Sequence, residues 1–382
     1  MRLALLALTT FVLFLSTLVG TPAIPELAAE LGANATATAA TLSSALMTVV
    51  LLQFFTGGLA DRYGRRFVLG SAALAGGFTS LGCSLAGEWR WLLAMRVLGG
   101  VADAVAMPAL LGLTAEIGEG RQGTFFGVLR SAQGLSFILG PAIGGALSFV
   151  SLRAPFVVDA VFSSVACVLL VRFVPAKVAC PDGGHSWAQL RRLKVLFTDR
   201  RYYAFALFCG VNNVAFPVLS AFLPVKARSL GADPRQVSLI LALEAVCFSL
   251  ACWLVGRASD RWGRRAFVIA AQPGVILSCA GLALAQSWPW LAAWYGLYGL
   301  AGGATFLLGL LMAADVAPRA DAAGTLGAFD AAVDLLIFAA PAAALAVHRQ
   351  LGRTGPLFLA GGLPALLALP VALMVSETRK AT

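Results

Sequence analysis

The chain has 382 residues, of which 59% are hydrophobic and only 12% are charged. Soluble domains carry about 25% charged residues, so this composition excludes a water-soluble fold and predicts an integral membrane protein. The formal net charge of +10 comes from arginines in short turns between apolar runs, which indicates a role in membrane orientation and not in nucleic-acid binding.

Runs of about 20 apolar residues predict twelve transmembrane helices. They lie at 3–24, 38–60, 67–87, 90–115, 123–150, 154–174, 201–226, 236–257, 265–286, 289–315, 321–346 and 353–376. The most polar segment divides them six and six. The predicted fold is therefore an all-α membrane protein of two pseudo-symmetric six-helix bundles, at 1–174 and 201–382, joined by a cytoplasmic central loop at 175–200.

Positive charge concentrates after the even-numbered helices. The residues concerned are Arg62, Arg65, Arg66, Lys177, Arg191, Arg192, Lys194, Arg200, Arg201, Arg257, Arg261, Arg264, Arg265, Arg379 and Lys380. Since positive loops face the cytoplasm, the even loops and both termini are predicted to be cytoplasmic.

A ten-residue motif at the end of predicted helix 2 recurs at the end of predicted helix 8. The first hinge, Gly57-Gly-Leu-Ala-Asp-Arg-Tyr-Gly-Arg-Arg (residues 57–66), recurs as the second hinge, Gly256-Arg-Ala-Ser-Asp-Arg-Trp-Gly-Arg-Arg (residues 256–265). The offset, 256 minus 57, is 199 residues, which is close to half of the chain. A duplicated basic turn between long apolar segments indicates a membrane transporter built from two related halves.

The hinges are too short to leave the membrane surface, so their charges are expected to contact neighbouring helix ends. Asp61 can accept hydrogen bonds at the positive N-terminus of another helix, and Arg65 can pair with a carboxylate at the end of helix 4, for which Glu116 is the candidate. Such contacts would latch one conformational state, whereas the simpler alternative is a topology anchor. The predicted latch comprises Asp61, Arg62, Gly64, Arg65, Arg66, Glu116, Asp260, Arg261 and Arg264.

Inserting a charged side chain at the centre of a transmembrane helix costs about 2.5–3.5 kcal/mol of free energy. Each charged residue inside a predicted helix is therefore expected to have a structural or functional role. Arg96 and Asp103 lie two turns apart on one face of helix 4, where they could form a static ion pair or a proton-binding site. Asp334 in helix 11 and Glu244 in helix 8 are the next candidates for proton coupling. Three further charges, in contrast, are predicted to lie nearer the interfaces and to be structural: Arg130, Asp159 and Asp315.

Helix 5 contains Gly140-Pro141-Ala-Ile-Gly144-Gly145. Proline removes a backbone hydrogen bond and glycine lets another helix approach, so this segment is predicted to be a gate, with tight packing alone as the alternative. Polar residues predicted to line a substrate cavity are Asn212, Asn213, Asp330, Gln133 and Tyr298.

The first hinge resembles the loop 2–3 signature of the major facilitator superfamily, and the second hinge stands in loop 8–9, where that family carries a degenerate repeat. The segment at 140–145 resembles the GPxxGG signature of its drug:proton antiporter branch. Arg96 with Gly99 and Gly100 resembles the RxxxG motif more loosely, since Leu98 replaces the usual polar residue. The resemblance covers essentially the whole chain. It implies that helix 11 is the partner of Asp61 and that the protein is a monomer.

The sequence therefore predicts a bacterial inner-membrane transporter that exports small lipophilic compounds in exchange for protons by alternating access. Its expected partners are a small-molecule substrate, protons and membrane lipids, with no nucleic acid. No phosphate-binding GxxxxGK[ST] loop, nucleophile–base pair or metal-ligand cluster occurs, so no enzyme activity, cofactor or metal is expected and the proton gradient supplies the energy. Two alternatives are a symporter or facilitated transporter of one metabolite, such as a sugar, amino acid or lysolipid, and a non-transporting membrane sensor or scaffold.

Overall fold

The computed structural model describes residues 2–173, 212–317, 322–351 and 355–374. In these ranges the regular structure is entirely α-helical. The helices are α1 (Arg2–Val19), α2 (Ala23–Glu30), α3 (Ala35–Tyr63), α4 (Arg65–Ser84), α5 (Trp89–Ile117), α6 (Gln122–Ser148), α7 (Ala154–Phe173), α8 (Ala215–Ser229), α9 (Pro234–Trp262), α10 (Arg265–Leu284), α11 (Trp288–Val316), α12 (Ala322–Leu351) and α13 (Gly355–Met374). The predicted central loop, 175–200, lies outside the described residues.

Each predicted transmembrane helix overlaps a helix of the described chain, so the predicted fold class is confirmed. Nine apolar spans within the described residues are long enough to cross a membrane. The first of these spans, Leu3–Glu30, contains both α1 and α2, because the chain bends at residues 20–22 beside Pro22.

The turn inside each hinge is set locally by glycine. Gly64 has φ 90° and Gly263 has φ 87°, a left-handed conformation that side chains with a Cβ avoid. These glycines end α3 and α9 and allow α4 and α10 to start at once. The helix pairs on either side of the two hinges therefore have the same construction.

The described residues form two compact units. The first unit draws on Met1–Ile117, Leu135–Lys194 and Ala317–Ala331, and the second on Gly118–Gly134, Val195–Val316 and Ala332–Thr382. The first part of α6 thus belongs to the second unit, and the first part of α12 belongs to the first unit. The predicted bundles at 1–174 and 201–382 stay a prediction.

In the first unit, α5 packs against α3 and α4, and α7 packs against α1 and α4. Its apolar core includes Ile24, Leu27, Leu92 and Phe156, which are at most 1% exposed. This packing encloses the middle of α5, where Arg96 and Asp103 lie.

In the second unit, α11 packs against α9 and α10, and α13 packs against α8 and α10. The core includes Leu219, Leu223, Leu291 and Tyr295, all fully buried. Each of α9, α10, α11 and α13 begins about 200 residues after its counterpart α3, α4, α5 and α7. The internal repeat therefore extends from the hinge motif to the packing order of the helices.

Candidate functional site

Asp61 of the first hinge lies at the N-terminus of α12. Its carboxylate is buried and accepts hydrogen bonds from the backbone N–H groups of Ala323, at 3.4 Å, and Gly324, at 3.0 Å. The first N–H groups of a helix have no partner inside the helix and form the positive end of its dipole, so a carboxylate is well placed there.

Arg65 extends this contact into a network. Its Nη2 lies 3.3 Å from Asp61, and its Nη1 donates to the Glu116 carboxylate at 2.7 Å and to the Gly112 carbonyl at 2.6 Å. Two contacts were expected for this hinge: Asp61 with the start of predicted helix 11, which is α12 in the structure, and Arg65 with Glu116. Both are present. Their role as a latch stays a prediction.

Asp260 of the second hinge makes the corresponding contacts at the start of α6. It accepts hydrogen bonds from the N–H of Gly123 at 2.8 Å, the N–H of Thr124 at 2.6 Å and the hydroxyl of Thr124 at 2.8 Å. The second hinge thus binds its helix N-terminus through more and shorter hydrogen bonds than the first.

Arg264 is the counterpart of Arg65. It is 2% exposed and contacts Asp260 at 3.1 Å, Asp315 at 3.3 Å and the Ser259 hydroxyl at 2.7 Å. Asp315 occupies in α11 the place that Glu116 holds in α5. The sequence predicts a structural role for Asp315, outside the predicted latch. Applying the 199-residue offset to Glu116 would have identified it.

The first glycine of each hinge permits a close backbone approach. A Cβ on Gly57 would lie 2.6 Å from the Cα of Gly324, and one on Gly256 would lie 2.9 Å from the Cα of Gly127. Real Cβ contacts are never this short, so the backbones of α3 and α9 could not reach α12 and α6 with any larger residue.

Two predicted latch residues lie at the rim of these networks. Arg62 and Arg261 are exposed, and their guanidinium groups stack over the neighbouring rings of Tyr63, at 5.2 Å, and Trp262, at 6.0 Å. Such exposed cation–π contacts are worth about 0.5–1 kcal/mol, and they hold the charge at the surface.

A small polar cavity lies inside the first unit. Its volume is about 30 Å³, room for a water molecule but not for an organic compound. Arg96 and Asp103 of α5 and Asp159 of α7 all line it. The structure therefore brings together two predicted coupling residues, Arg96 and Asp103, with Asp159. The sequence predicts Asp159 to be structural and nearer an interface.

Asp159 is the best-bonded member of this cavity. Its carboxylate accepts hydrogen bonds from the hydroxyls of Ser80 and Ser163, the latter at 3.3 Å. Ser163 follows Asp159 by one helical turn, and this spacing was the available sequence signal. Among the described residues, Arg96 forms no ion pair with Asp103, and its buried Nε has no hydrogen-bond partner.

Glu244 is the buried carboxylate of the second unit. It is 6% exposed and lies close enough to Tyr295 and Tyr298 to interact with them electrostatically. The two tyrosine rings stack with centroids 6.0 Å apart. Within the described part of the chain, no arginine or lysine lies within ion-pair distance of Glu244.

The predicted gate segment of α6 packs against α1. A Cβ on Gly140 would contact Leu18, one on Gly144 would overlap the Val19 carbonyl, and one on Gly145 would meet nothing within 4 Å. Pro141 lies inside the helix. Close packing on α1 therefore uses Gly140 and Gly144, and the predicted gate motion stays a prediction.

The acidic cavity candidates on α12 have different surroundings. Asp330 is 4% exposed and accepts a hydrogen bond from Nε2 of Gln53 at 3.2 Å. Asp334, one turn later, is half-buried. They share a helical face, as predicted, but Asp330 belongs to the first unit and Asp334 to the second.

Of the remaining cavity candidates, Gln133 is half-buried and Asn212 and Asn213 are buried. Arg130, which is 1% exposed, donates to Gln133 at 2.7 Å and stacks over Phe306 at 4.4 Å, so it is an interior residue of the second unit. Asn212 and Asn213 are 3% and 7% exposed. Among the described residues, no group of three or more His, Cys, Asp or Glu side chains could hold a metal ion.

Several proteins of known name are similar to parts of this chain. A class G tetracycline resistance protein of Vibrio anguillarum is 35% identical over 131 residues, 34% of this chain and 33% of that protein. The quinolone resistance protein NorA of Staphylococcus aureus is 27% identical over 147 residues, 38% of each chain. A chloramphenicol resistance protein of Pseudomonas aeruginosa is 25% identical over 271 residues, 70% of this chain and 64% of that protein. The chain thus matches between about a third and two thirds of the length of these relatives.

Solved transporter structures share the fold over nearly the whole chain. The human organic anion transporter MFSD10 superimposes with a TM-score of 0.84 at 17% identity, covering 97% of this chain and 98% of that one. The proton:xylose symporter XylE gives 0.78 at 16% identity, covering 99% and 96%. At these identities the likeness concerns the fold alone.

The sequence profile of the Major Facilitator Superfamily matches residues 6–226 and again residues 210–382. The two matches together cover both sequence repeats. The chain therefore belongs to the Major Facilitator Superfamily, and it is a multi-pass membrane transporter and not an enzyme.

Proposed function

We propose that this transporter exports small lipophilic compounds across the plasma membrane in exchange for protons by alternating access. Three relatives are named for resistance to tetracycline, quinolones and chloramphenicol. These drugs differ in chemistry, which favours a substrate class defined by lipophilicity over one defined metabolite.

The observation that carries proton exchange is the charge content of the cavity in the first unit. It holds two carboxyl groups, Asp103 and Asp159, and one guanidinium, Arg96. Full ionisation leaves one uncompensated negative charge inside the membrane, whereas one bound proton makes the cluster neutral. Since an uncompensated charge in this environment is expensive, binding and release of one proton is the natural reaction of this cluster.

Two structural links connect the cavity to the break between α1 and α2 and to the first hinge. A Cβ on Gly20, at the break between α1 and α2, would lie 3.8 Å from Oδ2 of Asp159. Asp103 lies on α5 with Glu116, the partner of Arg65 in the first hinge, which is 13 residues away or about 20 Å along the helix. A change of charge in the cavity can therefore act on both the helix break and the hinge.

We propose that the two hinges stabilise one conformational state of the transport cycle. Each hinge binds the first turn of a helix from the other half of the sequence, Asp61 at α12 and Asp260 at α6. Breaking these bonds would release the helix ends, and the predicted cytoplasmic orientation of the hinges would then make them a cytoplasmic latch.

The test is proton flux in proteoliposomes under an imposed pH gradient. The panel contains tetracycline, a fluoroquinolone, chloramphenicol and lipophilic cations. We expect substrate-triggered flux in the wild type and at least a tenfold loss in Asp103→Asn and Asp159→Asn. Asp233→Asn is the matched control, because Asp233 is an exposed helix cap for which asparagine is an equal substitute.

Glu244→Gln provides the contrast from the second unit. With no counter-charge at ion-pair distance in the described residues, no cation stabilises ionised Glu244, so we expect it to keep its proton throughout the cycle and the flux to stay within threefold of wild type. Loss of coupling in this variant, with Asp103→Asn and Asp159→Asn unaffected, would contradict the assignment to the first unit. If no compound of the panel triggers proton flux in the wild type, drug export is overturned in favour of transport of a defined metabolite.

A further inference from the structure

A cleft opens at one end of the first unit, between α4 and α7. Its volume is about 710 Å³, and it is lined by Arg66, Cys167, Val168, Val171 and Arg172. One wall is thus apolar, while two guanidinium groups stand at its border. This combination is separate from the cavity and from the hinge contacts of Asp61 and Asp260.

The two arginines lie at the same membrane boundary. Arg66 is in the first turn of α4 and Arg172 is in the last turn of α7, and these two helices pack against each other. Both helices are apolar enough to cross a membrane. A Cβ on Gly70 would lie 3.5 Å from Val171, so the helices touch one turn deeper and close the floor of the cleft. The cleft therefore faces the layer where lipid headgroups meet acyl chains.

The described residues of the second unit are arranged differently at the corresponding place. Arg265 is the counterpart of Arg66, and its Nη2 donates to the carbonyl of Leu373 at 3.1 Å. Leu373 itself stands in α13 where Arg172 stands in α7, one residue before the end of the helix. The second unit thus has one arginine at this place in the fold, where the first has two beside an apolar wall.

We propose that this cleft binds an anionic phospholipid, with the phosphate between Arg66 and Arg172 and an acyl chain along Val168 and Val171. Guanidinium groups bind phosphate through paired hydrogen bonds, and basic pockets between transmembrane helices suit anionic headgroups. The apolar wall favours a whole lipid over a free phosphate ester, because a phosphate ester alone has no acyl chain to contact Val168 and Val171. This proposal does not depend on the transported substrate.

The test is retention of lipid by the full-length protein in detergent, measured by native mass spectrometry. Phosphatidylglycerol and phosphatidylcholine with identical acyl chains are titrated separately. We expect phosphatidylglycerol to bind preferentially and the preference to fall roughly fivefold for each arginine removed, in Arg66→Gln, Arg172→Gln and the double variant. Arg265→Gln is the matched control and should keep the wild-type preference.

Two further measurements keep the outcome decisive. Glycerol phosphate, which has the headgroup chemistry without acyl chains, should not displace the lipid at equal concentration. The double variant Arg66→Lys with Arg172→Lys should retain part of the preference. An unchanged elution volume of the glutamine variants should show that the fold survives. Equal retention of both lipids by the wild type, or an equal loss in Arg265→Gln, would overturn the site.

Discussion

The two units carry equivalent hinges. In the first, Asp61 binds the first turn of α12 and Arg65 connects it to Glu116; in the second, Asp260 binds the first turn of α6 and Arg264 connects it to Asp315. The same geometry recurs although the two hinge sequences differ at several positions. Its repetition supports the proposal that both hinges act as latches.

Their interiors differ. The middle of α5 carries Arg96 and Asp103, which share a cavity with Asp159, whereas α11 carries Tyr295 and Tyr298 near a single carboxylate, Glu244. Among the described residues, it is the first unit that places opposite charges in one polar cavity. The hinge geometry is therefore shared between the halves, whereas their described interiors differ in charge.

The largest effect is expected from the close-approach glycines. Gly57→Ala and Gly256→Ala should each abolish transport, because the added Cβ would overlap the backbone of α12 or of α6. Alanine is the better helix former, so a loss cannot come from helix propensity. Drug accumulation in cells expressing equal amounts of each variant measures the effect. Gly145→Ala, which meets nothing within 4 Å, is the control. Normal transport in one hinge variant alone would show that the two hinges are not equivalent, and normal transport in both would contradict the prediction.

A smaller effect is expected from the hinge aspartates. Asp61→Asn should cut transport at least tenfold while leaving membrane insertion intact, because it removes charge-assisted hydrogen bonds to a helix N-terminus. Asp260→Asn should cost at least as much, since its three bonds to Gly123 and Thr124 measure 2.6–2.8 Å. Transport rates are normalised to protein in the membrane fraction. Undiminished transport in Asp61→Asn would contradict the latch proposal. A smaller loss of transport in Asp260→Asn than in Asp61→Asn would show that the second hinge contributes less to transport than the first.

The smallest effect concerns the ion pairs behind the aspartates. Glu116→Gln breaks a pair whose carboxylate is 28% exposed, so the free energy of unfolding should fall by less than about 1 kcal/mol. Asp315→Asn removes a partner of Arg264, which is 2% exposed, and should cost about 2–3 kcal/mol. Chemical unfolding in detergent, followed by tryptophan fluorescence, compares the two. The reverse order would mean that burial does not set the strength of these networks.

Much of the fold could be predicted because apolar length and glycine placement act locally. Runs of about 20 apolar residues can only be helices in a bilayer, and the positive φ of Gly64 and Gly263 sets the hinge turns. The Asp61 and Arg65 contacts followed from helix-end electrostatics together with the family resemblance. Asp315 was missed although the repeat offset pointed to it.

The sequence by itself determined the membrane-spanning character, the internal duplication and the hinge chemistry, because these depend on composition and on short-range spacing. Only the tertiary structure decided which buried charges share a cavity. Asp159 is 56 residues from Asp103, and no local rule relates them, since their proximity arises from the packing of α7 and α5 around α4. The same packing placed Arg66 beside Arg172, because antiparallel neighbours bring the first turn of one helix to the last turn of the other.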